Sequence, residues 1–340
     1  MKPWTIWRAP VDRVADVRRQ MRGIASALTV GCCLSWGWVA HAQPRSVPTV
    51  TTLAPLPSDW APAQLPRSVS FDMTSRHTGQ RYRILIGLPH PPAASYPVLW
   101  ALDGLATFPL LDFWRPRPTA EAENPRWRRK VGAEPSGLIV AVGYASGAPM
   151  DVDGRAQDYT PATTAPTGDQ LSQRHGGAAA YLRFLTEELR PLLARHFPMD
   201  PQRHTLFGFS YGGLFALQTL STEPQHFQRY WAASPSLWFG QHQVLRELPQ
   251  HLDALRRVSA PLRVVITVGQ DEQFPPRFAS PERQQMLQDR AMVDNATEFA
   301  RLLARAEPML QVQLLRVADH DHHDMLLHGT RRVIDFAFAP

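Results

Sequence analysis

The sequence predicts an α/β fold, with a mostly parallel central sheet and helices on both faces. Three observations lead there. From Val69 onward, short β-branched or aliphatic runs alternate with longer amphipathic patterns, the alternation of strand and helix that builds such a sheet. Several of the short runs are apolar on consecutive positions, as strands covered on both faces are. The chain has 340 residues, 44% hydrophobic and 19% charged, enough for a large core.

The expected strands are Arg81–Leu88, Val98–Leu102, Leu138–Val142, Thr205–Phe209, Val264–Val268 and Val312–Val317. Between them Leu182, Leu185, Leu189, Leu192 and His196 recur at helical spacing, with a kink expected at Pro191. Met286 to Ala306 and Leu326 to Phe338 read as two further helices. The stretch 115–134, with three prolines and six basic residues, fits neither element. It reads as an inserted loop near the C-terminal edge of the sheet, where ligands bind in open α/β folds.

The N-terminus has the form of an export signal. Basic residues precede an apolar run from Gly23 to Val39, and Ala40-His41-Ala42 follows as a small-residue cleavage site. Residues 1–42 are expected to be a signal peptide cleaved after Ala42, with Met21 as an alternative start. No stable membrane anchor is expected, since the apolar run is short for a span. Residues 43–66, rich in Pro, Thr, Ala and Ser, read as a linker, and residues 67–340 as one catalytic domain. Both cysteines, Cys32 and Cys33, lie inside the signal. A cysteine-free mature chain suits an oxidising compartment, periplasmic or extracellular, and leaves neither a thiol nucleophile nor a zinc–thiolate site. The formal charge of +6 falls to about +2 once residues 1–42, with six basic and two acidic side chains, are removed. Such a balance gives no argument for nucleic acid as a partner.

The chemistry concentrates at Gly208-Phe-Ser210-Tyr-Gly212. This G-x-S-x-G pattern follows an expected strand and precedes a helical run, the context of a nucleophile elbow. Ser210 must occupy a tight turn that lifts its hydroxyl above the sheet, and side chains at 208 and 212 would collide with the neighbouring strand and helix. The turn aims the Tyr211 amide and the helix N-terminus at a developing oxyanion. In this fold the acid and then the histidine follow the serine. Gly269-Gln-Asp271-Glu272 supplies an acid after one strand; Asp319-His320-Asp321-His322-His323-Asp324 supplies a histidine after the next. The same cluster permits a metal reading, weakened because adjacent residues on one turn point in different directions. His328 reads as a hydrogen-bonded helix histidine. A second oxyanion donor is expected after the strand ending Leu102-Asp103-Gly104, where Gly104 lets the Leu105 amide face a substrate.

Together these features resemble the siderophore esterases, the enterobactin, salmochelin and bacillibactin trilactone hydrolases of the esterase D-like branch of α/β hydrolases. The resemblance rests on Tyr96-Pro-Val-Leu-Trp…Leu-Asp-Gly, Arg155-Ala-Gln-Asp-Tyr-Thr-Pro161, Gly176 through Pro191, the elbow Gly208–Phe215, and Ala233-Ser-Pro-Ser-Leu-Trp238. It covers about residues 67–340. Carried over, it implies the α/β-hydrolase fold, Ser210 as nucleophile, His322 rather than His323 as base, and Glu272 rather than Asp271 as acid. Some members of the resembled family work as a Ser–His pair without an acid. The family usually has His where this chain has Phe209.

The resemblance further implies a small-molecule ester substrate, a ferric or metal-free catecholate trilactone, and no cofactor. Trp114, Arg115, Arg117, Arg126, Trp127, Arg128, Arg129 and Lys130 form an aromatic and cationic stretch suited to an anionic aromatic ligand. Trp127, Arg128, Lys130 and Trp238 are the candidate ligand contacts. A general carboxylesterase or acyltransferase, and a non-catalytic ferric-chelate binder, are the competing functions on the same scaffold.

Overall fold

The computed structural model describes residues 65–89, 92–115, 137–276 and 278–339. They fall within one compact unit, Pro62–Pro340. The expected signal peptide, nearly all of the linker, and Arg117, Arg126, Trp127, Arg128, Arg129 and Lys130 lie outside the described residues.

Eight strands form one sheet: β1 (Ser68–Thr74), β2 (Arg81–Gly87), β3 (Tyr96–Ala101), β4 (Leu138–Tyr144), β5 (Met199–Phe209), β6 (Arg229–Ala233), β7 (Leu262–Gly269) and β8 (Leu310–Val317). Their order is β1-β2-β4-β3-β5-β6-β7-β8. β2 pairs antiparallel with β1 and β4, and all other pairs are parallel. This is the mixed, mostly parallel sheet of an α/β hydrolase.

The consecutive apolar runs bury both faces. Val98 and Trp100 of β3 join Leu206 of β5 in one core, while Leu99, Ala101 and Phe207 join the core on the opposite face. A polar group beside Trp100 is satisfied, because the Trp100 indole donates to His204 Nδ1 at 2.9 Å. Burial pushes that imidazole down to about 3, so it stays neutral as an acceptor.

Helices α1 (Gly104–Trp114) and α2 (Val152–Tyr159) follow β3 and β4. The helical run before β5 is α3 (Ala178–Arg183), a π-helical turn (Phe184–Leu189) and α4 (Arg190–Ala194). The expected break at Pro191 thus takes the form of a widened turn just ahead of it, since proline cannot donate the usual i→i−4 bond. After β5 come α5 (Tyr211–Thr222) and α6 (Phe239–Arg256). The single helix expected over Met286–Ala306 is instead two, α7 (Pro281–Arg290) and α8 (Met292–Leu303), broken at Ala291 with φ 45°. The last helix, α9 (His322–Phe338), starts four residues earlier than the apolar pattern indicated. Its terminal carbonyls are closed by Arg203 and Arg229, which donate to Phe336, Ala337, Phe338 and Ala339. Among the described residues no helix is long and apolar enough to cross a membrane.

Candidate active site

The parallel strands point their C-terminal ends at one edge, and the chemistry collects there. β5 ends at Phe209, Ser210 takes φ 60° and ψ −115°, and α5 starts at Tyr211. An L-residue adopts positive φ only under constraint, and the constraints are visible. The Ser210 amide donates to Ala233 O at 2.9 Å, while its carbonyl accepts from Leu214 N and Ser236 N. Gly208 is required, because a Cβ there would stand 2.0 Å from Gly212 O. Ser210 Oγ lies 3.3 Å from Ser236 Oγ.

The acid position is built at the end of β7. Gly269 leads into a 3-10 turn, Gln270–Glu272, which turns Glu272 inward to 2% exposure. Its Oε1 accepts from the Ser234 hydroxyl at 2.6 Å and the Gly269 amide at 2.7 Å. Its Oε2 stands 2.5 Å from His322 Nδ1. Asp271 has another environment: its amide donates to His320 O, and burial, then Asp319, Asp321 and Asp324, raise its carboxyl above the ordinary value.

His322 opens α9, and the first turn is fixed by a reciprocal cap. Asp321 accepts from His323 N and Asp324 N, and Asp324 accepts from Asp321 N at 3.0 Å. The His322 ring packs against Phe209, with centroids 4.6 Å apart. The position where the resemblance leads one to expect His therefore supplies an apolar wall to the imidazole. His323 faces the same cleft but makes no bond to Glu272. Among the described residues no group of His, Asp and Glu side chains converges as a metal site. His328, expected to be hydrogen bonded, instead has a buried Nε2 without a partner, and burial lowers its pKa.

The two candidate oxyanion amides sit on adjoining turns. Tyr211 is the first residue of α5, and Leu105 the second of α1. Asp103, before α1, also has positive φ, 52°, and is buried. Arg155 grips it with two bonds of 3.1 Å and donates a third, 3.2 Å, to Phe209 O. One guanidinium thus fixes the turn before Leu105 and the turn before Ser210 together. The sequence motifs contain Asp103, Arg155, Ser234 and Ser236, but only contacts between distant segments reveal what they hold.

Ser210, Phe209, Tyr211, His322, His323 and Trp238 line one cleft of about 320 Å³, along with Arg155 and Arg290. Leu105 does not line it. Trp238 therefore stands at the site, with Arg290 4.7 Å over its ring. Arg115, grouped in the sequence with the ligand-receiving stretch, is buried instead. It pairs with Asp112 at 2.7 Å and donates to Pro66, Arg67 and Leu88 carbonyls, a structural role at the end of α1. Trp114 packs under Arg331 rather than facing the cleft.

Comparison with known proteins agrees with this architecture. The esterase family model matches residues 75–307. The chain is 30% identical over 279 residues to the ferri-bacillibactin esterase BesA of Bacillus subtilis, covering 79% of this chain and 88% of that protein. It is 31% identical over 296 residues to a siderophore triacetylfusarinine C esterase of Aspergillus fumigatus, covering 82% and 95%. Among solved structures, the siderophore hydrolase EstB from Aspergillus nidulans superposes with a TM-score of 0.68 at 27% identity, covering 82% of this chain and 98% of EstB. The chain belongs to the esterase family: it is an ester hydrolase of the α/β-hydrolase fold, akin to siderophore esterases.

Proposed function

We propose that the protein is an exported serine esterase that cleaves the backbone esters of a catecholate siderophore. The observation that carries this reading is the hydrogen-bonded chain from Glu272 to His322, which opens into the same cleft as Ser210. In this mechanism Ser210 Oγ attacks the ester carbonyl carbon as His322 Nε2 accepts its proton. The carbonyl oxygen becomes an oxyanion held by the Tyr211 amide in the cleft, with the Leu105 amide of the adjoining turn as the second expected donor. Glu272 keeps the proton on His322 Nδ1 and stabilises the imidazolium. His322 then protonates the departing alcohol. Water, deprotonated by the same imidazole, cleaves the acyl–serine bond and restores the hydroxyl. Each proton taken is returned, so no cofactor enters.

The siderophore assignment draws on the relatives, which include a ferri-bacillibactin esterase and a siderophore triacetylfusarinine C esterase. Export draws on residues 1–42, whose removal leaves a chain without cysteine. Ser210→Ala is expected to lower kcat on a catecholate trilactone by on the order of 10⁶. Retention of more than a few per cent of activity would overturn the serine mechanism. A higher kcat/KM on short aryl esters than on the trilactone would indicate a general carboxylesterase. Binding of a ferric chelate, with Ser210 unreactive toward a fluorophosphonate, would indicate a binding protein. N-terminal sequencing of the exported protein should begin at Gln43.

A further inference from the structure

A second, larger cavity of about 850 Å³ adjoins the catalytic cleft, and Trp238 and Arg290 line both. Its size is in the range of small-molecule sites. Trp238 stands as the partition, packed at 5.8 Å on Tyr211 beside the elbow and under Arg290 on the other side.

The backbone at its rim is unusual. Gly240, Gln241 and His242 all take left-handed conformations, with φ 59°, 54° and 63°. A run of three such residues is disfavoured for L-amino acids and persists only when its surroundings hold it. Here Gly240 N donates to Thr167 O at 3.2 Å, and His242 N to Trp238 O at 3.3 Å. The result turns Gln241 and His242 to the cavity. The opposite wall is α7, which contributes Glu282, Gln285, Met286 and Asp289.

The wall chemistry narrows the ligand. Met286, Pro166 and Pro281 offer apolar surface, whereas Glu282 and Asp289 offer carboxylate acceptors. Counting the adjoining cleft, Arg155 is already engaged by Asp103 and Asp169 by His175, which leaves Glu282 and Asp289 opposing Arg290. Such walls, taken over the described residues, suit a hydrogen-bond donor without negative charge. A protonated catechol donates two O–H groups; a catecholate bound to iron donates none and is repelled.

We infer that this cavity is a second subsite, which holds an uncharged, hydroxyl-bearing aromatic arm of the ligand while another arm's ester lies at Ser210. The inference rests on the proposed siderophore esterase activity. The enzyme accordingly works on the metal-free trilactone in preference to its ferric complex.

Met286→Trp fills the cavity from α7, and Gln285→Trp does so from the neighbouring position. The readout is the ratio of kcat/KM for metal-free trilactone to that for a short aryl ester, which needs no second arm. Either variant is expected to lower this ratio tenfold or more. Glu282→Gln with Asp289→Asn is expected to narrow the wild-type preference for metal-free over ferric ligand by a few-fold at low salt. Ratios unchanged in both tryptophan variants, or a wild type that prefers the ferric complex, overturn the subsite. A wild type that leaves the trilactone intact while cleaving the aryl ester instead overturns the siderophore reading, and the subsite with it.

Discussion

At the scale of single residues, Glu272 explains most of the site's order. Three donors meet its carboxylate: the Ser234 hydroxyl, the Gly269 amide and the His322 ring. A carboxylate with that set can be buried without remaining unsatisfied. Asp271, one position earlier, has none of these donors, which separates two acids that composition alone leaves equivalent. Glu272→Gln preserves the volume but offers an amide where a negative charge faced the imidazole. In the proposed mechanism the imidazolium then loses its counter-charge, and His322 can rest in the wrong tautomer. The expected result is a fall in kcat of about 10³–10⁴ with the fold intact by circular dichroism. A loss below tenfold would mean that the protein works as a Ser–His pair.

At the scale of elements, the outcome depended on whether a signal was local. The elbow is local: glycines at fixed offsets, a strand before and a helix after, so Ser210 could be read directly. β6 was not legible, because it is five residues long and opens with Arg229, whose charge is consumed by the last helix's carbonyls. With β6 hidden, the roles of Ser234 and Ser236 just beyond it were hidden too. The apolar spacing of 286–306 runs smoothly through the break between α7 and α8, since periodicity records which face is buried and not whether φ changes sign. That break carries a testable cost. Ala291 sits at φ 45° and ψ 45°, where a Cβ costs about 1–2 kcal/mol. Glycine removes that strain but loses about 0.5–1 kcal/mol to the freer unfolded chain. Ala291→Gly is therefore expected to raise Tm by about 1–3 °C, read by calorimetry. A lower Tm would show that the left-handed turn is not strained.

At the scale of the whole molecule, the sheet was legible because both of its faces are buried, and the two separate cores need apolar runs that few other folds use. Buried polar groups are what such runs conceal. Asp158 at the end of α2 is 3% exposed, and Tyr82 and Tyr144 donate to its Oδ2 at 2.7 and 3.1 Å, linking that helix to β2 and β4. Burial pushes its carboxyl up to about 6 from 3.8, although the two tyrosine bonds pull it back. The folded protein therefore holds this proton more tightly than the unfolded chain does. Between about pH 4 and pH 6 the native state binds more protons, so this group subtracts stability as pH rises and leaves a constant penalty above that window. Asparagine keeps an acceptor for both tyrosines and cannot ionise. Asp158→Asn is thus expected to stabilise the protein at pH 7.5 by on the order of 2–3 kcal/mol, with the two proteins nearly equal at pH 4. Urea midpoints for both at the two pH values decide the matter. A gap of the same size at both would mean that the charge of Asp158 is not what the fold tolerates at neutral pH.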